Sequence, residues 1–204
     1  MNTDGEGEGM KPDEVVERFR RTGALLEGHF VLTSGLHSTH YLQCALVLQH
    51  PSEAEALARA IAARCSEQQV ETVAAPAIGG IIIGWEVARA LGVRSIWTER
   101  EAGAMTLRRG FTIRPGERVL VVEDVITTGG STRETIEVLR SSGALVVGAA
   151  SIIDRSGGRA DVGVPRVALA TLEVPANAPA SCPQCAAGVP AVKPGSRNAV
   201  NRKP

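Results

Sequence analysis

Between residues 70 and 174, short unbroken apolar runs alternate with stretches of helical length, and no other feature of the chain restricts the fold as much. The run at 70–75 breaks at Pro76, Gly79 and Gly80, and 81–91 has the length and pattern of a helix stopped by Gly92. Further runs lie at 93–98 and at 118–122, the latter apolar throughout between Arg118 and Glu123. Residues 131–142 form a helix candidate with Gly143 as its C-terminal stop, and runs at 144–153 and 166–174 complete the series. Strands that are apolar at every position, not at every second one, are buried on both faces. That environment is a parallel sheet with helices on each side. The expected fold is therefore an α/β doubly wound core over residues 69–175. Ahead of it, Ala54, Leu57, Ala58, Ile61 and Cys65 form one helical stripe within an N-terminal helix and hood region spanning 12–68. Residues 1–11 are expected as a disordered leader, and 176–204, rich in Pro, Ala and Gly, as an extended tail.

Composition excludes several functions. Aromatic residues are only 3% of the chain, so the core has to be built from Val, Ile, Leu and Ala. A formal net charge of zero argues against a nucleic-acid partner held by bulk electrostatics. No apolar run approaches the ~20 residues that a membrane-spanning helix needs. The first nine residues are acidic and Gly-rich, the reverse of a signal peptide, and the four cysteines do not resemble a secreted disulfide framework. A cytoplasmic location is expected.

The chemistry concentrates at Glu123-Asp124-Val125-Ile126-Thr127-Thr128-Gly129-Gly130-Ser131, where a buried strand ends in two adjacent carboxylates and a loop of hydroxyls and glycines leads into a helix. Glycines let the backbone approach an anion, and the helix N-terminus offers unpaired N–H groups at the positive end of its dipole. Ser131 and Glu134 have the spacing of a capping box. The two acids suit ribose hydroxyls or Mg²⁺. A second turn, Ala77-Ile78-Gly79-Gly80, closes another strand ahead of a helix.

The acid–acid–Thr–Gly segment resembles the binding motif for phosphoribosyl pyrophosphate (PRPP) of the type I phosphoribosyltransferases. The resemblance implies that Glu123 and Asp124, as the catalytic pair, contact the ribose hydroxyls, that 127–131 hold the 5′-phosphate, and that Val125 and Ile126 also bind PRPP. It also implies that 77–80 form the pyrophosphate loop and that Mg²⁺ arrives with PRPP. The long connection from Glu99 to Phe111 resembles the family's flexible loop, shared across a homodimer, with Arg100, Arg108 and Arg109 as its PRPP-binding cations. Gly103 and Met105 stand where a Lys and a His are usual in the orotate enzymes, and Arg, unlike those residues, donates no proton near neutral pH.

The hood segment from Gly28 to Gln43 resembles that of orotate phosphoribosyltransferases, with Ser34-Gly35 followed by Tyr41, although Thr33 replaces a frequent Lys. By that resemblance Thr127, Arg155, Tyr41 and Thr33 meet the base, with Arg155 matching the orotate carboxylate through two donors. His37 and His40 are read as surface residues of the hood hairpin. Cys182-Pro-x-Cys185 and the following Lys193-Pro-Gly-Ser-Arg197 resemble the C-terminus of one bacterial branch. The two cysteines have half of a zinc site's spacing, and completion by Cys44, by a His or across a dimer stays open beside a free-thiol or turn reading. A purine- or xanthine-specific transferase and a non-enzymatic PRPP-binding regulator are the competing readings.

Overall fold

A computed structural model describes residues 9–32 and 34–194. Helix α1 (Pro12–Arg21) starts on a proline, where the missing N–H costs nothing, with Asp13 and Glu14 in its first turn and Arg18, Arg20 and Arg21 in its last. Strands β1 (Leu25–Val31) and β2 (His37–Leu42) form an antiparallel hairpin with a bulge between Glu27 and Phe30. Helices α2 (Cys44–Leu48) and α3 (Pro51–Arg64) follow, and the stripe expected on α3 is buried, Ala54 to Ile61, with Cys65 just beyond its end.

The core then runs β3 (Thr72–Pro76), α4 (Gly79–Leu91), β4 (Arg94–Glu101), β5 (Ala104–Leu107), β6 (Arg118–Ile126), α5 (Gly130–Ser141), β7 (Leu145–Asp154) and β8 (Arg166–Thr171). The strands are ordered β5-β4-β3-β6-β7-β8, and only the edge strand β5 is antiparallel to its neighbour. The doubly wound α/β core is therefore present. Two apolar layers sandwich the sheet, and β6 divides its residues between them: Leu120 and Val122 join Leu57, Ile61 and Ile83, whereas Val119 and Val121 join Ile136 and Leu139 of α5. This two-sided burial is what the unbroken apolar runs required. None of the described helices is long and apolar enough to cross a membrane.

Two expectations change. Residues 176–194 are not simply an extended tail. Strand β9 (Ala176–Asn177) pairs with β2, a short helix α6 (Pro183–Ala186) follows, and Val192 bridges Phe30. The hood is thus a three-stranded sheet, β1-β2-β9, completed by the C-terminal segment. The capping box at Ser131 and Glu134 does not form. Helix α5 starts one residue earlier, its N-cap is Gly129 at φ +74°, and Glu134 pairs instead with Arg100 at 2.6 Å. A left-handed residue at the cap turns the chain where a Ser side chain would have to reach back.

Candidate active site

Strands β3, β6 and β7 end at one edge of the sheet, and α4 and α5 both begin there, so two helix N-termini and three strand ends converge. Ligands of open α/β sheets bind at this edge. A cavity of about 910 Å³ opens there, lined by Asp124, Val125, Thr127, Thr128 and Arg155 from the core, by Ser34, Tyr41 and Cys44 from the hood side, and by Val174, Pro175 and Ala176 ahead of and within β9.

The two loops singled out in the sequence lie against each other. A methyl group on Gly79 would sit 2.7 Å from Asp124 Oδ2, and one on Gly80 would sit 3.0 Å from the Val122 carbonyl and 3.3 Å from Glu123 Oε1. The Ala77–Ile78 peptide is cis. Glycine at 79 and 80 lets the opening of α4 touch the acid pair directly. The acids, however, do not share one role. Asp124 faces the cavity and accepts a hydrogen bond on Oδ1 from the Val125 N–H at 2.8 Å. Glu123 is only 9% exposed and sits behind it. Burial, and then the neighbouring Asp124 charge, push the Glu123 carboxyl up to about 9, and burial raises Asp124 as well. Burial and the charge of its neighbour therefore favour the protonated form of Glu123 at neutral pH.

Ile126 is buried and gives its carbonyl to the Arg155 N–H at 2.8 Å. Thr127 and Thr128 are exposed to the cavity. Gly129, Gly130 and Ser131 form the start of α5 beside it, where Arg133 donates to the Thr128 carbonyl at 2.9 Å and braces the loop. Helix geometry leaves the first N–H groups of such a turn without intrahelical partners.

Arg155 is the informative side chain. Asp154, its sequence neighbour, is taken up elsewhere: it binds Arg166 at 2.8 Å and accepts from the Ser156 and Gly158 N–H groups, closing the turn of 154–158. The Arg155 guanidinium is left to the cavity, and its buried Nε has no hydrogen-bond partner among the described residues. Burial lowers its pKa, against the pull of Tyr41 and Cys44. A guanidinium desolvated without a carboxylate beside it is organised for an anionic group brought by a ligand. Tyr41 leans on Phe30 with ring centroids 5.9 Å apart and lines the same end of the cavity. Burial and the Asp124 carboxylate hold the Cys44 thiol well above its usual pKa, so Cys44 is a neutral donor towards Asp124. Neither Cys44 nor Arg159, which also lines the cavity, carries a motif that would have marked it in the sequence.

The remaining expectations divide. Thr33 lies outside the described residues. Arg100, Arg108 and Arg109 do not line the cavity. They sit on and just after the β4–β5 hairpin, whose turn at Ala102 and Gly103 has φ +49° and +88°, and each is paired with an acid: Arg100 with Glu134, Arg108 with Glu101 at 3.2 Å, and Arg109 with Glu99 through two bonds of 2.5 and 3.0 Å. His40 lies 4.0 Å from Glu27 on the hairpin. His37 does not share that surface role: with His29 it meets Cys182 and Cys185, and Cys44 takes no part in this group.

The comparisons agree with this geometry. The family described as "Phosphoribosyl transferase domain" matches residues 46–168. An orotate phosphoribosyltransferase of Pelotomaculum thermopropionicum is 61% identical over 188 residues, covering 92% of this chain and 99% of that protein. One from Thermotoga maritima is 51% identical over 183 residues, covering 90% and 98%. Among solved structures, the orotate phosphoribosyltransferase of Aeropyrum pernix superposes with a TM-score of 0.64 at 31% identity, covering 78% of this chain and 94% of that one. Two glycine-bearing helix starts around an acid-ended strand, an arginine with an unpartnered buried Nε on the cavity wall, and relatives of matching length lead to one assignment: the chain belongs to the phosphoribosyltransferase family and, within it, to the orotate phosphoribosyltransferases.

Proposed function

We propose that the protein transfers the 5-phosphoribosyl group of PRPP to orotate, giving orotidine 5′-monophosphate and pyrophosphate in pyrimidine synthesis. The observation that carries the choice of base is Arg155, buried at the cavity wall with an unpartnered Nε. Orotate brings the carboxylate that such a group lacks, and adenine, hypoxanthine and xanthine do not. Tyr41 offers a flat apolar face next to that anchor.

The bond from ribose C1 to the pyrophosphate oxygen breaks and that oxygen leaves with the electron pair, while a ring nitrogen of orotate forms the new bond to C1 and gives up its proton to the departing pyrophosphate. The transition state has oxocarbenium character, so catalysis rests on positioning and charge neutralisation. Asp124 accepts from the ribose hydroxyls, Glu123 holds Asp124 from behind, and Thr127, Thr128 and the opening of α5 receive the 5′-phosphate. The turn of residues 77–80 faces the departing pyrophosphate. One cavity-facing carboxylate with neighbouring hydroxyls suits Mg²⁺ that keeps most of its ligands from water and substrate phosphates. When bound, the ion neutralises charge on the leaving group.

A homodimer is supported by two features. Ile78 at the N-cap of α4 and Ile82 and Trp85 on the helix form an apolar stripe, respectively 85%, 47% and 54% exposed. The hairpin arginines do not line their own cavity, and a partner's cavity is the role that the family resemblance gives them. A cytoplasmic location is part of this reading, and none of the described helices is long and apolar enough to cross a membrane. Incubation with Mg²⁺, PRPP and orotate should consume orotate absorbance, whereas adenine, hypoxanthine and xanthine should not turn over. Turnover of a purine with none of orotate would reverse the assignment.

A further inference from the structure

Away from the cavity, four side chains from opposite ends of the chain bring their ligand atoms together. His29 on β1, His37 on β2, and Cys182 and Cys185 in the tail present ring nitrogens and sulfurs that all lie within 4.8 Å of one another. His29 Nε2 is 2.8 Å from His37 Nδ1. Cys182 Sγ and Cys185 Sγ lie 3.4 and 3.7 Å from His29 Nε2, and Cys185 Sγ lies 3.2 Å from His37 Nδ1. We infer that these four residues form a structural zinc site of the His2Cys2 type that fastens the tail to the hood.

The dimensions suit the ion. Zinc bonds of about 2.0–2.1 Å to nitrogen and about 2.3 Å to sulfur give a tetrahedron with edges of roughly 3.3–3.8 Å. Both sulfur distances to His29 fall in that range, the Cys185–His37 distance lies just under it, and the two ring nitrogens need to part by only about half an ångström. Orientation is a second, independent sign. His29 Nδ1 is 2.7 Å from the Val189 carbonyl oxygen, which can only accept, so Nδ1 carries the proton and Nε2 presents its lone pair to the sulfurs. Metal-ligating histidines are oriented by such outer hydrogen bonds. Two soft thiolates and two imidazoles are the donor set of tetrahedral sites and select zinc over the oxygen-seeking divalent ions. On binding, the two thiols release their protons, and two thiolates with two neutral rings balance the ion's charge. That neutrality matters where His29 and Cys182 are each only 4% exposed.

The position gives the site a purpose. The loop between the two histidines carries Leu32 and Ser34, and the segment ahead of Cys182 carries Val174, Pro175 and Ala176; all five line the cavity. Strand β9 contributes only two ladder pairs, His37 with Asn177 and Ser38 with Ala176, which alone hold this wall weakly. The ion locks both sides of it. The inference stands on the four ligands and does not depend on which base is transferred.

The full-length protein, purified without chelator and dialysed exhaustively, should retain about one zinc per chain by mass spectrometry. Stripped protein titrated with Co²⁺ should develop the intense visible bands of a tetrahedral ion and the near-ultraviolet thiolate charge-transfer band. A Cys182→Ser/Cys185→Ser variant should lose both. Chelation should lower the melting temperature of the wild type by roughly 5 °C or more and leave the variant's unchanged. Zinc lost on dialysis together with an octahedral cobalt spectrum would overturn the inference, as would undiminished metal in the double variant. If circular dichroism finds that variant unfolded, the cobalt spectrum of the wild type decides alone, and His37→Gln, which keeps both thiols, should shift it.

Discussion

Replacing Gly79 with alanine tests the contact between the two loops. The backbone at this position is not in the left-handed region, so any effect comes from the added methyl group. That methyl would sit 2.7 Å from Asp124 Oδ2 and 3.0 Å from both Oδ1 and Cγ, well inside the 3.4 Å where ordinary van der Waals contact begins. The carboxylate has to move, and it is tethered through Oδ1 to the Val125 N–H. Turning away sacrifices that bond, worth about 1.5–3 kcal/mol for a charged acceptor. A displacement on the order of 1 Å in a positioning group lowers rate by about 100-fold. We expect Gly79→Ala to reduce kcat/KM for PRPP by roughly 10- to 100-fold, with modest thermal destabilisation. Gly84→Ala provides the contrast. It lies further along α4, where the methyl meets Ala75 Cβ at 2.8 Å, with no carboxylate nearby. Helix and strand must separate, at a cost of about 1–3 kcal/mol in stability, and kinetics at a permissive temperature should change little. Initial-rate kinetics and thermal melts on both variants distinguish the two effects. Wild-type kcat/KM in Gly79→Ala would refute the idea that Asp124 is positioned by this contact.

Three further outcomes are expected. Asp124→Asn should lose most activity while melting near the wild-type temperature, because it removes the charge facing the cavity and little else; wild-type turnover would remove Asp124 from the mechanism. Arg155→Lys should raise the KM for orotate by about 10-fold or more and change that for PRPP far less, since a point charge replaces a two-pronged donor; steady-state kinetics with each substrate varied separate the two. Glu123→Gln should alter how stability depends on pH. With its carboxyl raised from 4.5 to about 9, the folded protein keeps a proton that the unfolded chain releases. Stability is therefore greatest below about 4.5 and is lost as pH rises through about 9, by at most about 1.4 kcal/mol per unit. Glutamine cannot ionise, so melts from pH 5 to 9 should show the variant gaining on the wild type. Parallel curves would mean that Glu123 is ionised throughout.

Most of the core was legible because its signals are local. Unbroken apolar runs such as 118–122 can satisfy only a sheet covered twice, and Gly79, Gly80, Gly129 and Gly130 announce their helix starts within a few positions. Arg155 could be nominated from its place after a strand. That Asp154 would be consumed by Arg166, leaving the guanidinium unanswered, depended on a residue from another strand. Local reasoning failed where partners are remote. The Ser131–Glu134 spacing suggested a cap, yet Glu134 found Arg100. Glu123 and Asp124 look equivalent in the sequence, yet Glu123 is buried and Asp124 lines the cavity. The grouping of His29 with Cys182 spans 153 positions and follows no spacing rule.

The hood sheet is stitched from the first and last parts of the chain, and this dictates an order of assembly. A polypeptide emerging from the ribosome can bury the layers around β6 once β8 has appeared. The β1–β2 ribbon must wait, as a marginal pair of strands, for residues beyond 175 to arrive. The part of the cavity wall at 174–176 is accordingly made after the core, so a chain cut short after β8 would keep a folded body without a finished mouth.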